Sequence, residues 1–197
     1  MDDPDRNDMR DLCEGQDAAL NRIMDRWSAP LGAFIHRYLQ DREDAFDLLQ
    51  ETFVRVYQNR DRYRPDAKFS TWLFAIAVNL CRNRARWRRR HPTVSLDAGA
   101  EEGIPSCLNA SKSGEQSPDA ALVQRERIRA VREAIARLSH DLRTPLILFQ
   151  YEGLTHQEIA GVMNCTPKAV ETRIYRARRK LKAWLADIDQ ARPSPAP

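Results

Sequence analysis

The stretch LTHQEIAGVMNCTPKAVETRIYRARRKLK, residues Leu154–Lys182, decides how this chain is read. Thr155 is a good N-cap, and Glu158 three residues later completes a capping box. Ile159, Ala160, Val162 and Met163 follow at helical spacing. Asn164 tolerates the left-handed conformation that a tight turn needs, so the first helix stops there. Thr166 and Pro167 read as the N-cap and first residue of a second helix. Val170, Ile174, Ala177 and Leu181 form its buried stripe. Lys168, Arg173, Arg176, Arg178, Arg179, Lys180 and Lys182 lie largely off that stripe. Two short helices joined by a turn, the second one basic, are suited to presenting a helix to the DNA major groove. The plainer reading is a helical hairpin with a solvated basic face. Paired caps, small Ala160, the turn and the basic second helix together favour DNA.

The composition agrees. The chain has 197 residues, 42% hydrophobic and 30% charged, which suits one domain or two small ones in a soluble protein. Long runs of period-two alternation are absent, so an all-α fold is expected. The net charge of +4 understates the basicity because charge is segregated. Arg82–Arg90 holds six Arg in nine residues, and Arg173–Lys182 six basic residues in ten. Met1–Glu14 instead carries six acids against two bases. Two basic patches point to nucleic acid contact at two separate places.

Other function classes find little support. The acidic, polar N-terminus is not a signal peptide. The longest apolar run, Trp72–Val78, is far too short to cross a bilayer, so a cytoplasmic protein without membrane insertion is expected. Cys13, Cys81, Cys107 and Cys165 are scattered, as are His36, His91, His140 and His156. None has metal-ligand spacing, so no metal or other cofactor is expected and the cysteines read as reduced thiols. No phosphate loop or nucleophile motif appears, so no catalytic residue is assigned.

The expected architecture is two small helical domains joined by a flexible acidic linker. Residues 1–14 read as a disordered acidic tail. The first domain, 15–91, holds helices at Asp17–Trp27 and Leu31–Leu39, broken at Pro30. A helix at Asp44–Asn59 follows, with Ala45, Leu48, Leu49, Thr52, Phe53 and Val56 as its apolar stripe. After a loop over Asp61–Lys68, Ser70 caps a helix from Thr71 to about Arg90. Residues 92–118 are rich in Ser, Gly, Pro and Asp and read as linker. It would reach on the order of 90 Å stretched, or nearer ~30 Å as a coil. The second domain, 119–187, holds helices at Asp119–Arg137 and Thr144–Tyr151, then the helix-turn-helix. Residues 188–197 read as a second disordered tail.

The segment AFDLLQETFVRVYQNRDRYRPDAKFSTWLFAIAVNLCRNRAR, Ala45–Arg86, resembles region 2 of the sigma-70 family, and Leu138–Leu181 resembles its region 4. The compact extracytoplasmic-function (ECF) sigma factors are the nearer likeness. This resemblance implies a dissociable specificity subunit of bacterial core RNA polymerase, which docks on the clamp helices of the largest subunit and on the flap. It also implies promoter DNA as a ligand, an anti-sigma factor as a partner, and a role in stress response.

Residue roles carry over by position. Asp47, Gln50, Glu51 and Phe53 fall in the helix that binds core polymerase. Phe46 stands where many relatives carry Glu, either packing or adding an apolar contact. Phe69, Trp72, Asn79, Arg82, Asn83 and Arg86 supply aromatic walls, hydrogen-bonding groups and cations for an unstacked −10 strand. For Trp72, core packing is an equal alternative. Lys168, Glu171, Thr172, Arg173, Arg176 and Arg178 match positions facing the −35 duplex, where Arg suits bidentate guanine contacts. Glu171 departs from the family's usual Lys or Arg, which points to altered promoter choice. The acidic linker, with Asp97, Glu101, Glu102 and Glu115, would thread toward the active-site cleft or RNA exit channel. A stand-alone helix-turn-helix regulator is the main rival; it explains Leu154–Lys182 and leaves the upstream block unexplained. A protein that only titrates a partner leaves both Arg patches unexplained.

Overall fold

A computed structural model of the chain describes residues 3–66, 68–91 and 118–190. Among these residues every regular element is helical. The elements are α1 (Pro4–Cys13), α2 (Ala18–Leu39), α3 (Arg42–Gln58), a short 3-10 turn at Arg60–Arg62, α4 (Phe69–Arg90), α5 (Pro118–Arg137), α6 (His140–Gln150), α7 (His156–Met163) and α8 (Pro167–Gln190). Residues 92–117 of the expected linker and the last seven residues lie outside the described residues; Pro118 already opens α5, and α8 runs to Gln190, three residues into the expected second tail.

The acidic start of the chain is a helix, which corrects the expected disordered tail. Asp3 caps α1 by accepting from the Asp5 amide at 3.1 Å, and Pro4 occupies the first turn. Met9 and Leu12 are fully buried. The acids meet cations on α2: Arg22 pairs with Asp8 at 2.5 Å and Asp11 at 2.8 Å, and Arg26 with Asp5 at 2.9 Å and also with Asp8. Burial pushes the Asp8 carboxyl up, yet hydrogen bonds from Arg26 and Arg22 outweigh it and hold it below its ordinary value. The local charge excess that suggests disorder is neutralised by residues more than ten positions away.

A second correction concerns Pro30, which lies inside α2 and does not break it. A proline there removes one hydrogen bond and crowds the carbonyl four residues back, costing about 3 kcal/mol. Ile23 on one side and Leu31, Phe34 and Ile35 on the other enter the same core, which offsets that cost. Pro145 is likewise internal, so α6 begins at His140 and not at Thr144. The helix α4 starts at Phe69 after Lys68, with no side-chain cap from Ser70.

The helix-turn-helix follows the local chemistry closely. Thr155 and Glu158 form the reciprocal capping box, and Asn164 adopts φ 49°. Thr166 accepts from the Ala169 amide at 3.2 Å to start α8. Val170, Ile174 and Ala177 are buried, and Leu181 half-buried.

The two halves share one apolar core. It runs from Met9 and Leu12 through Phe34, Phe74 and Leu80 to Leu146, Ile159 and Ile174. The helix α7 lies against α4, and α6 against α2. The second half therefore packs on the first.

Candidate nucleic-acid interface

The basic end of α4 is split into two sets by its partners. Arg84 and Arg88 turn to the N-terminus of α3, where Arg84 pairs with Asp44 and Arg88 with Asp41 at 2.5 Å and Asp44 at 2.6 Å. Burial raises the Asp41 carboxyl, but the Asp44 amide and Arg88 outweigh it and lower it. These two arginines hold α4 to α3. Asn79, Arg82, Asn83 and Arg86 recur at three and four residues and are all exposed. Arg82 and Arg86 form no ion pair among the described residues. The expected stripe of hydrogen-bonding groups and cations is therefore present on one face.

The aromatic part of that site differs from expectation. Phe69 is 1% exposed and packs at 6.0 Å from Trp27, 5.9 Å from Tyr63 and 6.0 Å from Trp72. It is core, which corrects its assignment as a DNA contact. Trp72 is half-buried at 5.4 Å from Tyr63, so its rim is the aromatic surface left next to the loop. Trp87 is exposed and stacks on His91 at 4.9 Å, beside an open groove between α3 and α4 of about 370 Å³.

On α3, Asp47 and Gln50 are exposed, and Glu51 is half-buried and pairs with Arg55 at 2.6 Å. Phe53 is 3% exposed, so it packs inward and is not a surface contact. The position sits on the stripe of Leu49 and Val56, and that phase decides its direction. Phe46 and Val54 face outward instead, each more than half exposed. With Glu43, Asp47 and Gln50 they form a mixed apolar and acidic face.

On α8, Lys168 and Glu171 pair at 2.8 Å, and the Lys168 ammonium lowers the Glu171 carboxyl. Thr172 donates back to the Lys168 carbonyl at 2.9 Å. Arg173 is half-buried, its guanidinium 3.4 Å from Cys165 Sγ, so it braces the turn. Arg176 is exposed with no ion pair among the described residues. Arg178 hydrogen-bonds Gln150 at 3.0 Å and sits 5.4 Å over the Phe149 ring, tying α8 to α6. Tyr175, which the sequence reading missed, is 65% exposed. It stands one turn from Glu171 and Thr172 and one turn from Arg179, on the same face. Its signal was available: a tyrosine out of phase with Val170, Ile174 and Ala177 must point to solvent.

No group of three or more potential metal ligands and no helix long and apolar enough to cross a membrane occurs among the described residues.

Comparison with known proteins agrees with this arrangement. The family model for sigma-70 region 2 matches residues 23–91, and that for sigma-70 region 4 matches residues 128–181. The chain is 32% identical over 174 residues to the RNA polymerase sigma-H factor of Pseudomonas aeruginosa, covering 88% of this chain and 90% of that protein. It is 31% identical over 169 residues to the ECF RNA polymerase sigma-E factor of Escherichia coli K12, covering 85% and 87%. Its fold matches CnrH, solved in complex with the cytosolic domain of CnrY, with a TM-score of 0.69 and 26% identity over 94% of this chain and 99% of that one. A sigma factor from Bartonella quintana, solved with the anti-sigma factor NepR, shares the fold at a TM-score of 0.61 and 21% identity. Both family regions are present, in order and over most of the described helices, and so the chain belongs to the sigma-70 family as an ECF RNA polymerase sigma factor.

Proposed function

We propose that the chain binds core RNA polymerase through the outer face of α3 and directs initiation by gripping a promoter at two elements. The exposed stripe of Asn79, Arg82, Asn83 and Arg86, with the Trp72 rim, takes the opened −10 strand. The outer face of α8, with Lys168, Glu171, Thr172, Tyr175 and Arg176, reads the −35 duplex. The observation that carries this reading is the presence of two separate exposed basic faces on a chain with both family regions. A stand-alone regulator needs only one of them.

The chemistry is binding without bond making. Cations neutralise phosphates, and hydrogen-bonding groups and aromatic edges capture bases that leave the stack. Their combined free energy offsets local opening of the duplex. Polymerase supplies the catalysis, and the chain works where polymerase does, in the cytoplasm. Glu171 does not face the phosphates as a lone anion, because Lys168 neutralises it. The pair leaves a carboxylate oxygen able to accept from a cytosine amino group. Arg176 is the leading reader, while Arg173 and Arg178 act chiefly through the turn and α6. Phe46 and Val54 add apolar contact to the polymerase-facing surface of Asp47 and Gln50. An anti-sigma factor acting on these same surfaces is the expected inhibitor; the Bartonella quintana sigma factor that shares the fold was solved with the anti-sigma factor NepR.

Run-off transcription with purified core polymerase over a promoter library tests the reading. Transcripts that depend on the chain and share paired upstream elements are expected. Specific duplex binding without polymerase, and no transcripts with it, would replace this reading by the stand-alone regulator.

A further inference from the structure

The apolar core that holds α4 stops short of the residues assigned to DNA. The buried residues of α4 run from Phe69 to Cys81, and none follows in its last nine positions. Arg82, Asn83 and Arg86 all lie in that final stretch. Among the described residues, half-buried Ala85 is the one apolar side chain of the stretch packed against the core. A helix held only at its root swings at its tip. From Leu73 to Arg86 is about 20 Å at ~1.5 Å per residue, so a tilt of about 10° moves Arg86 by roughly 3 Å. A misplacement of about 1 Å is already enough to spoil a positioned contact. Something besides the apolar core must therefore fix the tip.

The strut is an ion network at the start of α3. Arg84 and Arg88 lie one turn apart on α4 and turn toward it. Asp44 is 7% exposed; it accepts from Arg84 and pairs with Arg88 at 2.6 Å. Asp41 meets Arg88 with one oxygen at 2.5 Å and caps α3 with the other, accepting from the Asp44 amide at 2.9 Å. Each end of the network stands beside a functional face. Glu43 and Asp47, on the polymerase-facing side of α3, lie within three residues of Asp44. Asn83 and Arg86 lie within two residues of Arg84. Pairs this buried gain little net stability, because desolvation offsets their attraction. Their directed, charge-assisted hydrogen bonds do set geometry.

We propose that Asp44 is a positioning residue for promoter opening: through Arg84 and Arg88 it fixes the tip of α4, and with it the −10 stripe, against the helix that docks on polymerase. The inference rests on the two-face reading above. It makes the angle between what polymerase holds and what the opened strand meets a property of Asp41, Asp44, Arg84 and Arg88. The rival use of the two arginines is as further cations for phosphate. The two uses predict opposite signs, because neutralising Asp44 frees both arginines.

The test uses the full chain with core polymerase. Asp44→Asn keeps the shape of the side chain and removes its charge. Opening of a duplex promoter, read by permanganate attack on unpaired thymines, should fall at least about tenfold. Capture of the variant by polymerase in a pull-down should be unchanged. Asp44 pairs with Arg84 and Arg88 and not with Arg86, which allows a second comparison. If Asp44 serves only general stability, the effects of Asp44→Asn and Arg86→Ala on opening multiply; if it positions the stripe, the double variant opens no worse than the weaker single one. Should Asp44→Asn shift the urea midpoint, Arg88→Gln, at a half-buried position, carries the same comparisons. Increased opening by Asp44→Asn would assign the arginines to phosphate and overturn the proposal. So would unchanged opening, or multiplying effects with Arg86→Ala. Amide exchange in the free chain checks the physical premise without polymerase. In Asp44→Asn, residues 83–90 should exchange at least about tenfold faster, with residues 73–81 at the parent rate. Unchanged exchange at residues 83–90 would also overturn the proposal. If the parent chain initiates at no promoter, the two-face reading fails, and amide exchange still decides whether Asp44 holds the tip of α4.

Discussion

Replacing Glu152 by Gln should stabilise the protein in mild alkali and leave it unchanged in mild acid. The Glu152 side chain is 7% exposed, with Arg37 as its partner. Burial raises its carboxyl from 4.5 to about 7, even though the Arg37 charge and hydrogen bond pull the other way. A folded-state pKa above the unfolded value gives a contribution fully present below pH 4.5 and lost as the pH rises through 7. Complete ionisation in the folded chain then costs on the order of 3 kcal/mol. Gln keeps an oxygen for Arg37 and carries no charge, so it mimics the protonated form at every pH. In urea titrations followed by tryptophan fluorescence, Glu152→Gln should exceed the parent by roughly 1–3 kcal/mol above pH 8 and match it near pH 5. Arg37→Ala should do the opposite above pH 8, losing about 3 kcal/mol because a buried carboxylate is left without its partner. A difference between Glu152→Gln and the parent that is the same at both pH values would refute the reasoning.

Other expectations are simpler. Arg176→Ala should weaken initiation at promoters with an intact −35 element by roughly 1–3 kcal/mol in competition assays, with chain stability unchanged. Unaltered selectivity would remove Arg176 from the reading face. Phe46→Ala should reduce capture by core polymerase without shifting the urea midpoint. Phe53→Ala, which empties a buried site, should cost about 3–5 kcal/mol of stability; a Phe53 variant of normal stability would contradict its core position. Asp8→Asn should loosen α1 from α2 by roughly 1–2 kcal/mol at neutral pH, read by proteolysis of the first helix. The folded Asp8 carboxyl lies below its ordinary 3.8, so its contribution is present above that value and lost as the pH falls through the lowered one. Equal protection of α1 in the variant and the parent at pH 7 would discount the Arg22 and Arg26 pairs.

The features legible in the sequence are those whose causes are local. The capping box at Thr155 and Glu158, the left-handed Asn164 and the Thr166 cap all depend on neighbours within three residues. The stripes of α3 and α8 repeat regularly enough to give the buried faces. Phe53 shows how a positional likeness misleads when set against that periodicity. Its helix belongs to the polymerase-binding surface by resemblance, yet its phase with Leu49 and Val56 directs it inward. Phe69 fails differently: Trp27, Tyr63 and Trp72 enclose it, and Trp27 comes from a helix more than forty residues earlier. Pro30 and the acidic start depart from the local rules for the same reason. A local rule gave the cost, while the compensation came from distant residues, the shared core in one case and Arg22 with Arg26 in the other. The pairing of Lys68 with Glu158 spans 90 positions and leaves no periodic trace.

Glu158 uses its two oxygens for different ends. One accepts from the Thr155 amide at 2.8 Å and from its hydroxyl, and the other meets Lys68. The carboxyl lies at about 2, lowered chiefly by Lys68 and also by Thr155, so it stays charged across any cellular pH. Without Lys68, Glu158 would still keep its bonds to Thr155, and the first turn of α7 would stay tied. Inheritance is constrained by this sharing. A substitution at Glu158 alters the cap of α7 and its tie to α4 together, whereas one at Lys68 alters the tie alone. Variation that loosens the packing of α7 on α4 without disturbing the helix-turn-helix cap therefore has Lys68 as its open position.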